Sequence, residues 1–488
     1  MRLKTALILI FVLGCLALLT AMRIHSFDEP LERDDAYYAV MGKEILSGAW
    51  PYADLWSNTP PGIHLLYALA IKFLGYTEQC VKVMGLLFSL LTAVGIFLLA
   101  ARCSTVYGGC LALLLFAVTS SDPRLQGNSF NCEVPMNTFL VWAYYFLAVH
   151  MTRSALWKAA AAGILLGLAA LVKTVAIAPF IGGGILILLG WDGAGWKRRL
   201  AHASAYLLFA ALPWVLCMAA FRLAGRFELL WDCVFRFNAV YYSGQKWSVM
   251  PLALMANSRA MALTWPLWLA AAVWIVRSAP WRSSAGCVLA AVWFLSTLLE
   301  IALPGKYWPH YYYLGLPPCL LAMAMLVGRL GQLRGISAVG LGLALLCASA
   351  YVGVKEYTDY LRLAPEEIST AKYGASLFVE ARRFGKLLGE RMPEEEKLFN
   401  WGTETELYFY SNRRPATRFL VNYPMTQGRQ EWLVHELVRQ LEREKPGVIV
   451  VSDNVPDALQ HFLDGNYELS ERHEFFISYT RLRSACKP

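Results

Sequence analysis

The chain has 488 residues, of which 57% are hydrophobic and only 16% charged, with a mean hydropathy of +0.43 and a formal net charge of +9. A soluble domain carries about 25% charged residues, so these values exclude a wholly soluble protein and specify a polytopic membrane protein. The positive balance does not indicate nucleic acid, because much of it lies in short loops between apolar segments, where Lys and Arg collect on the cytoplasmic side.

In chain order, the apolar run 6–24 has a basic start like a signal peptide. It is long for one and no clear small-residue cleavage site follows, so it reads as an uncleaved first span. The charged stretch RDDAYYAVMGKEILSGAWPYADLWSNTPPG then runs from Arg33 to Gly62. Tyr37, Tyr38, Met41 and Ile45 have helical spacing, which predicts an amphipathic helix on the membrane with Asp34 and Asp35 near its N-terminus. Negative charge is favourable there, so capping is the structural alternative for one of them. Gly48, Pro51, Pro60, Pro61 and Gly62 force turns, and residues 63–75 read as an interfacial or re-entrant helix. Ten further spans are expected at 81–101, 106–120, 134–151, 157–172, 174–191, 200–222, 260–277, 284–303, 309–328 and 336–354, giving about eleven in all. The segment 355–488 has an ordinary soluble composition and reads as a small α/β domain. KLFNWG, GVIVVSD and FFISYTRLR are strands, and Glu431 to Leu441 is a helix. It has no Gly-rich phosphate loop. The fold class is therefore a polytopic α-helical membrane protein, 1–354, with an extracytoplasmic α/β domain, 355–488.

The eleven cysteines are scattered, with Cys217, Cys287, Cys319 and Cys347 inside apolar runs, and read as small packing residues. The loop charges set the orientation. With the N-terminus inside, cytoplasmic segments carry Arg2, Lys4, Arg102, Arg153, Lys158, Lys197, Arg198, Arg199, Arg277, Arg282, Arg329 and Arg334, and the acid Asp192. The opposite loops hold Asp28, Glu29, Glu32, Asp34, Asp35, Asp54, Asp122, Glu133, Glu228, Asp232 and Glu300. An odd number of spans then puts the C-terminal domain on the same outer side as the first loop, 25–79.

Ionised carboxylates beside a bilayer are costly and read as functional by default. Asp34 and Asp35 are the first candidates. Glu133, in the second outer loop SSDPRLQGNSFNCEVPMNTF, is either a helix N-terminal charge or a second carboxylate centre. Together, Asp35 and Glu133 are the candidate pair for a divalent metal ion, or else they divide the handling of an acceptor hydroxyl. Lys173 interrupts the apolar run LVKTVAIAP and must face a cavity or snorkel. The sequence GKYWPHYYYLGLPP adds Lys306, His310 and Tyr311 among belt aromatics. Lys173, Lys306 and His310 would suit a phosphate-bearing lipid head group. The loop from Arg226 to Arg259, with Arg236 and Lys246 in FRFNAVYYSGQKW, reads as a candidate substrate-covering lid.

The first-loop sequence, continued as RDDAYYAVMGKEILSGAWPYADLWSNTPPGIHLLYAL, resembles the signature of the GT-C class of membrane glycosyltransferases. Within it, the sequence is most similar to the bacterial branch of the dolichyl-phosphate-mannose protein mannosyltransferase family, which includes aminoarabinose transferases and galacturonosyltransferases. FNCEVPMNTF, the Lys173 segment, HYYYLGLPP and NWGTETELYFYSNRRPATRF extend the resemblance over nearly the whole chain. It departs from the pattern at Asn58-Thr59, where many relatives have Lys or His before the Pro-Pro turn. The resemblance implies a transferase that takes a sugar from a polyprenyl-phosphate donor on the outer face of a bacterial cytoplasmic membrane. Asp34 matches the family's catalytic aspartate, Asp35 the acid beside it and Glu133 the second-loop acid. Lys173, Lys306 and His310 match the region of donor-phosphate contacts, with Tyr311 adjoining them. The residue types fit inverting single displacement, with Asp34 as base and cations or a metal beside the departing phosphate. The partners expected are the donor, an acceptor lipid, glycan or protein, and membrane lipids. The rival class is a transporter or flippase of lipid-linked or anionic cargo. It would share the intramembrane charge, but neither an inverted repeat nor midplane acids are present.

Overall fold

The computed structural model describes residues 2–190, 193, 195–243, 248, 250–252, 264–278, 284–330, 336–427 and 432–482. Asp192, Lys246, Arg282, Arg334, the start of the expected span 260–277 and most of the lid segment beyond Ser243 lie outside the described residues. The chain forms two compact units. The first comprises Met1–Asp28, Lys82–Leu223 and Gly244–Ile368, and the second Glu29–Val81, Ala224–Ser243 and Ser369–Pro488.

The first unit is helical. Its N-terminal part holds α1 (Arg2–Ile24), with the first outer loop then leading through α2 (Arg33–Leu46) and α3 (Pro61–Leu74) of the second unit into α4 (Glu78–Cys103). There follow α5 (Val106–Thr119), α6 (Glu133–Thr152), α7 (Leu156–Val172), α8 (Ile177–Leu189) and α9 (Trp196–Leu223). Later helices run Trp265–Ser278, Ala285–Ala302, Leu316–Leu330 and Ile336–Glu356. Among the described residues, four helices are long and apolar enough to cross a membrane: Leu3–Ile24, Glu78–Cys103, Trp196–Leu223 and Ala285–Ala302. Of the other expected spans, Val106–Thr119, Leu156–Val172 and Leu316–Leu330 are shorter helices of 14, 17 and 15 residues, whereas Glu133–Thr152 and Ile336–Glu356 run 20 and 21 residues. The stretch at 174–191 is a one-turn 3-10 segment, Thr174–Ala176, followed by the 13 residues of α8. Such a helix is about 20 Å long, against a hydrocarbon core of about 30 Å. The break is at Lys173, whose extended backbone (φ −153°, ψ 130°) ends α7.

Close helix packing in this unit depends on small residues. Gly163 and Gly167, one turn apart on α7, face the backbone of α9. A Cβ on either would sit 2.3 Å from the Tyr206 carbonyl oxygen or 2.2 Å from that of Ala210. This is the small-xxx-small device by which membrane helices approach closely. Tyr206 completes the α8–α9 contact by donating to the Phe180 carbonyl (2.6 Å) while stacking on the Phe180 ring. The end of α1 is fixed by Arg23, which is buried and donates to Ser89, to the Ser120 and Gly127 carbonyls, and to the Tyr313 hydroxyl. Leu7, Leu9, Ile10 and Leu13 of α1 remain exposed, as lipid contact allows.

The second unit packs α2 and α3 with a four-stranded sheet and helices. The expected strands form as β1 (Leu398–Trp401), β2 (Val448–Val451) and β4 (Ile477–Arg481), and the helix as Leu433–Glu444. A further edge strand, β3 (Tyr467–Arg472), joins them in the order β1-β2-β4-β3, with β1 and β2 parallel and the other pairs antiparallel. The pattern of β3 hid it: only Tyr467 is buried, and the rest, four polar residues and Leu469, are largely exposed. Helix α2 forms where the spacing predicted, but Tyr37, Tyr38 and Met41 are buried in protein rather than laid on a surface. Gly42 makes that possible, because a Cβ there would come within 2.8 Å of the Ala68 backbone nitrogen on α3.

Candidate functional site

In the second unit the candidate acids occupy the first turn of α2. The N-cap position is Glu32, whose side chain makes no capping bond. Neither Asp34 nor Asp35 is the cap residue, though both gain from the helix N-terminal field. Asp35 is fully buried and accepts a hydrogen bond from the Tyr67 hydroxyl on α3 at 2.9 Å. Asp34 is half-buried, and among the described residues its carboxylate takes part in no hydrogen bond or ion pair.

The C-terminal segment clamps this turn. The Thr405 hydroxyl donates to the Arg33 carbonyl (2.8 Å), and Arg33 donates to the Thr403 carbonyl (3.1 Å) and lies 3.4 Å from Glu404. The Leu31 amide donates to the Tyr410 hydroxyl at 2.8 Å. The motif NWGTETELYFYSN thus holds the backbone that presents Asp34. Just before α2 lies a buried ion pair, Lys372 to Glu29 at 2.8 Å, each side chain 1% exposed. Burial, with the carboxylates of Asp35, Asp34 and Glu29, pushes Glu32 up to about 8, against the lowering pull of the Lys372 ammonium. The Lys372 ammonium offsets only part of that rise. Sequence reading missed Tyr67, Glu32 and Lys372 in this role. Only Glu32 carried a signal, as one of the outer-loop acids.

The Pro-Pro turn is tied by amides. Asn58 donates to the Asn238 side-chain oxygen (2.9 Å), Asn238 donates back to the Asn58 carbonyl (2.7 Å), and the Tyr423 hydroxyl donates to the Asn58 side-chain oxygen (2.8 Å). The residue that replaces the family's cation here is structural within its unit.

In the first unit Glu133 opens α6 and is 2% exposed. Lys173 reaches it across the break between α7 and α8, with Nζ 2.5 Å from Glu133 Oε1. The same ammonium lies 3.9 Å from the centre of the Tyr311 ring, a cation–π contact. The segment Pro309–Gly315 brings His310 beside Tyr311, ring centres 4.8 Å apart, and His310 Nδ1 is 2.9 Å from the Gln126 side-chain oxygen of the second loop. Asn137, one turn after Glu133, donates to the Tyr313 carbonyl at 2.9 Å. The structure therefore brings Glu133, Lys173, His310 and Tyr311 together. Lys306 lies half-buried on the preceding turn, where Gly305 and Tyr307 both have positive φ (64° and 52°). Gln126 joins the group without having been foreseen.

Of the expected metal pair, Asp35 and Glu133, each carboxylate already has one oxygen engaged. Lys173 occupies one Glu133 oxygen, Tyr67 occupies one Asp35 oxygen, and among the described residues no group of three or more His, Cys, Asp or Glu side chains is arranged to hold a metal ion.

Residues 58–220 match the family described as dolichyl-phosphate-mannose-protein mannosyltransferase. No curated protein matches the chain in sequence. Among solved structures, ArnT from Cupriavidus metallidurans bound to undecaprenyl phosphate is similar with a TM-score of 0.61 at 15% identity, covering 99% of this chain and 99% of that one. The oligosaccharyltransferase AglB from Archaeoglobus fulgidus, in complex with an inhibitory peptide and a dolichol-phosphate, gives 0.58 at 13% identity, over 92% of this chain and 70% of that one. The arabinofuranosyltransferase AftD from Mycobacteria gives 0.50 at 14% identity, over 97% of this chain and 41% of that one. At these identities the structural likeness is one of fold. The likeness is thus to the dolichyl-phosphate-mannose-protein mannosyltransferase family over residues 58–220 and, over almost the whole chain, to the fold of these membrane glycosyltransferases.

Proposed function

We propose that this chain, with the fold of the GT-C glycosyltransferases, is an inverting transferase that moves a sugar from a polyprenyl-phosphate carrier to an acceptor hydroxyl. Asp34 is the base. The observation that carries this is its carboxylate, half-exposed and without a hydrogen-bond or ion-pair partner among the described residues, on a helix turn held by Thr403, Thr405 and Tyr410. A positioned base without a competing hydrogen bond can take the hydroxyl proton as oxygen attacks the anomeric carbon. The bond from that carbon to the phosphate oxygen breaks, and its electron pair leaves with the phosphate. Asp35, anchored by Tyr67, is a positioning residue. Lys173, with His310, Lys306 and Tyr311, is suited to the charge that collects on the departing phosphate, and Glu133 holds Lys173 in its extended reach. The carriers bound to ArnT and AglB, undecaprenyl phosphate and dolichol-phosphate, support a lipid-phosphate donor for this chain too. The Lys and Arg distribution supports a cytoplasmic N-terminus and an extracytoplasmic C-terminal domain in a bacterial inner membrane.

The test is transfer of label from lipid-phosphate sugars to cell-envelope acceptors by purified protein in detergent, where transport has no meaning. Asp34→Asn is expected to lower turnover by about 10²–10⁴-fold with unchanged expression. Wild-type turnover in that variant would remove Asp34 as base, and absence of transfer by wild type with every lipid-phosphate sugar tried would remove the reading itself.

A further inference from the structure

Glu300 lies in the last turn of helix Ala285–Ala302 and is 1% exposed. Among the described residues neither of its carboxyl oxygens has a hydrogen-bond partner. The hydroxyl of Thr297, one turn earlier on the same face, is buried and equally without a partner. This helix packs against α6, the Thr174–Ala176 turn and the Pro309–Gly315 segment. The groups that face Glu300 from those elements are Glu133 and Tyr144 of α6 and Lys173 at the turn, each close enough for electrostatic interaction. The third element carries His310 and Tyr311, which lie beside Glu133 and Lys173 respectively.

Charge balance decides the form Glu300 takes. Lys173 is already matched by Glu133 at 2.5 Å. A second carboxylate there would be a buried charge with no second cation for it among the described groups that face it, which is more costly than a neutral carboxyl that leaves only its hydrogen bonds unmade. A neutral carboxyl is also a donor. It therefore calls for an acceptor, and a phosphate, whose oxygens only accept, supplies one beside the Lys173 ammonium.

We propose that Glu300 is a phosphate-binding residue, a neutral carboxylic acid that donates a hydrogen bond to a phosphate oxygen of the lipid ligand beside Lys173 and His310. The assignment rests on the lipid-phosphate reading above and deepens it. No proton need be transferred in the ground-state complex. The O–H stays on Glu300 and supplies one more donor to the phosphate, the group on which charge grows during transfer.

The experiment is equilibrium binding of undecaprenyl phosphate to the full-length protein in nanodiscs, with undecaprenol, which lacks the phosphate, as control. Glu300→Gln keeps a donor of similar size, and Glu300→Met fills the volume without one. Binding of the phosphate lipid is expected to weaken about tenfold or more in Glu300→Met, as a hydrogen bond to a charged group is lost. Glu300→Gln should stay within about threefold of wild type, and undecaprenol should not discriminate among the three. Wild-type affinity in Glu300→Met overturns the proposal. So does equal weakening in both variants, or a loss beyond threefold in Glu300→Gln alone, which decides the matter should Glu300→Met fail to fold. Binding is read without turnover. Failed transfer with intact phosphate-dependent binding would count against the transferase reading alone, and a Glu300→Met variant that binds normally would count against Glu300 alone.

Discussion

Asp34 and Asp35 are neighbours in sequence with opposite environments. Asp35 is sealed against Tyr67, whereas Asp34 meets no partner among the described residues. A base needs an available lone pair, and a buried, bonded carboxylate has less to offer, so the division of labour follows from accessibility. Glu32 supplies a pH test of the same turn. Its folded-state pKa is raised from an ordinary 4.5 to about 8, first by burial. A raised carboxyl contributes stability that is complete below its unfolded value and is lost as pH rises through the folded one. The unfolding midpoint is therefore expected to fall between about pH 5 and about pH 8. Glu32→Gln, which keeps the neutral form at every pH, should flatten that slope in thermal scans. An unchanged slope would show that Glu32 does not carry this titration.

At the scale of elements, the interior of the first unit depends on backbones that touch. Gly163 and Gly167 bring α7 onto the carbonyls of Tyr206 and Ala210 on α9, and α7 ends at Lys173. Pushing these helices apart would move the residue that carries the ammonium. Gly167→Leu is expected to cost about 1–3 kcal/mol through overpacking, seen as a lower unfolding temperature. It should also weaken binding of the lipid phosphate, although residue 167 does not belong to the ligand cluster. Normal stability and binding in that variant would show that α7 and α9 can separate without disturbing Lys173. The break after α7 has its own physical cause. A continuous helix would turn the Lys173 side chain along the apolar surface, whereas the extended residue lets its Nζ reach Glu133.

Across the whole molecule, each unit carries part of the charged machinery, and in neither do the described residues supply a set of metal ligands. Lys173 takes the place a cation would fill beside Glu133. Transfer is therefore expected to persist, within about twofold of the untreated rate, when divalent ions are chelated with EDTA, since an ammonium can supply the charge stabilisation otherwise given by a metal. Loss of transfer restored by added Mg²⁺ or Mn²⁺ would overturn this. The C-terminal segment belongs to the same compact unit as the first loop, and its Thr403–Tyr410 stretch grips the backbone around Arg33. The domain read from composition as a separate module therefore supports the turn that presents Asp34.

The sequence alone determined what depends on local composition and period. Apolar runs gave the membrane class, the pattern Tyr37–Tyr38–Met41–Ile45 gave α2, and alternating or continuous apolar runs gave β1, β2 and β4. The charges of Asp34, Glu133 and Lys173 stood out because a charge near a bilayer needs a reason. What depends on contacts between distant residues was left to the tertiary structure. β3 hid because an exposed edge strand has no apolar period. Tyr67 and Lys372 looked like ordinary helix residues until folding placed them against Asp35 and Glu29. Glu300 looked like one more outer-loop acid. Only packing shows that it is buried, unbonded and next to a cation already taken, because the cost of a charge is set by its surroundings.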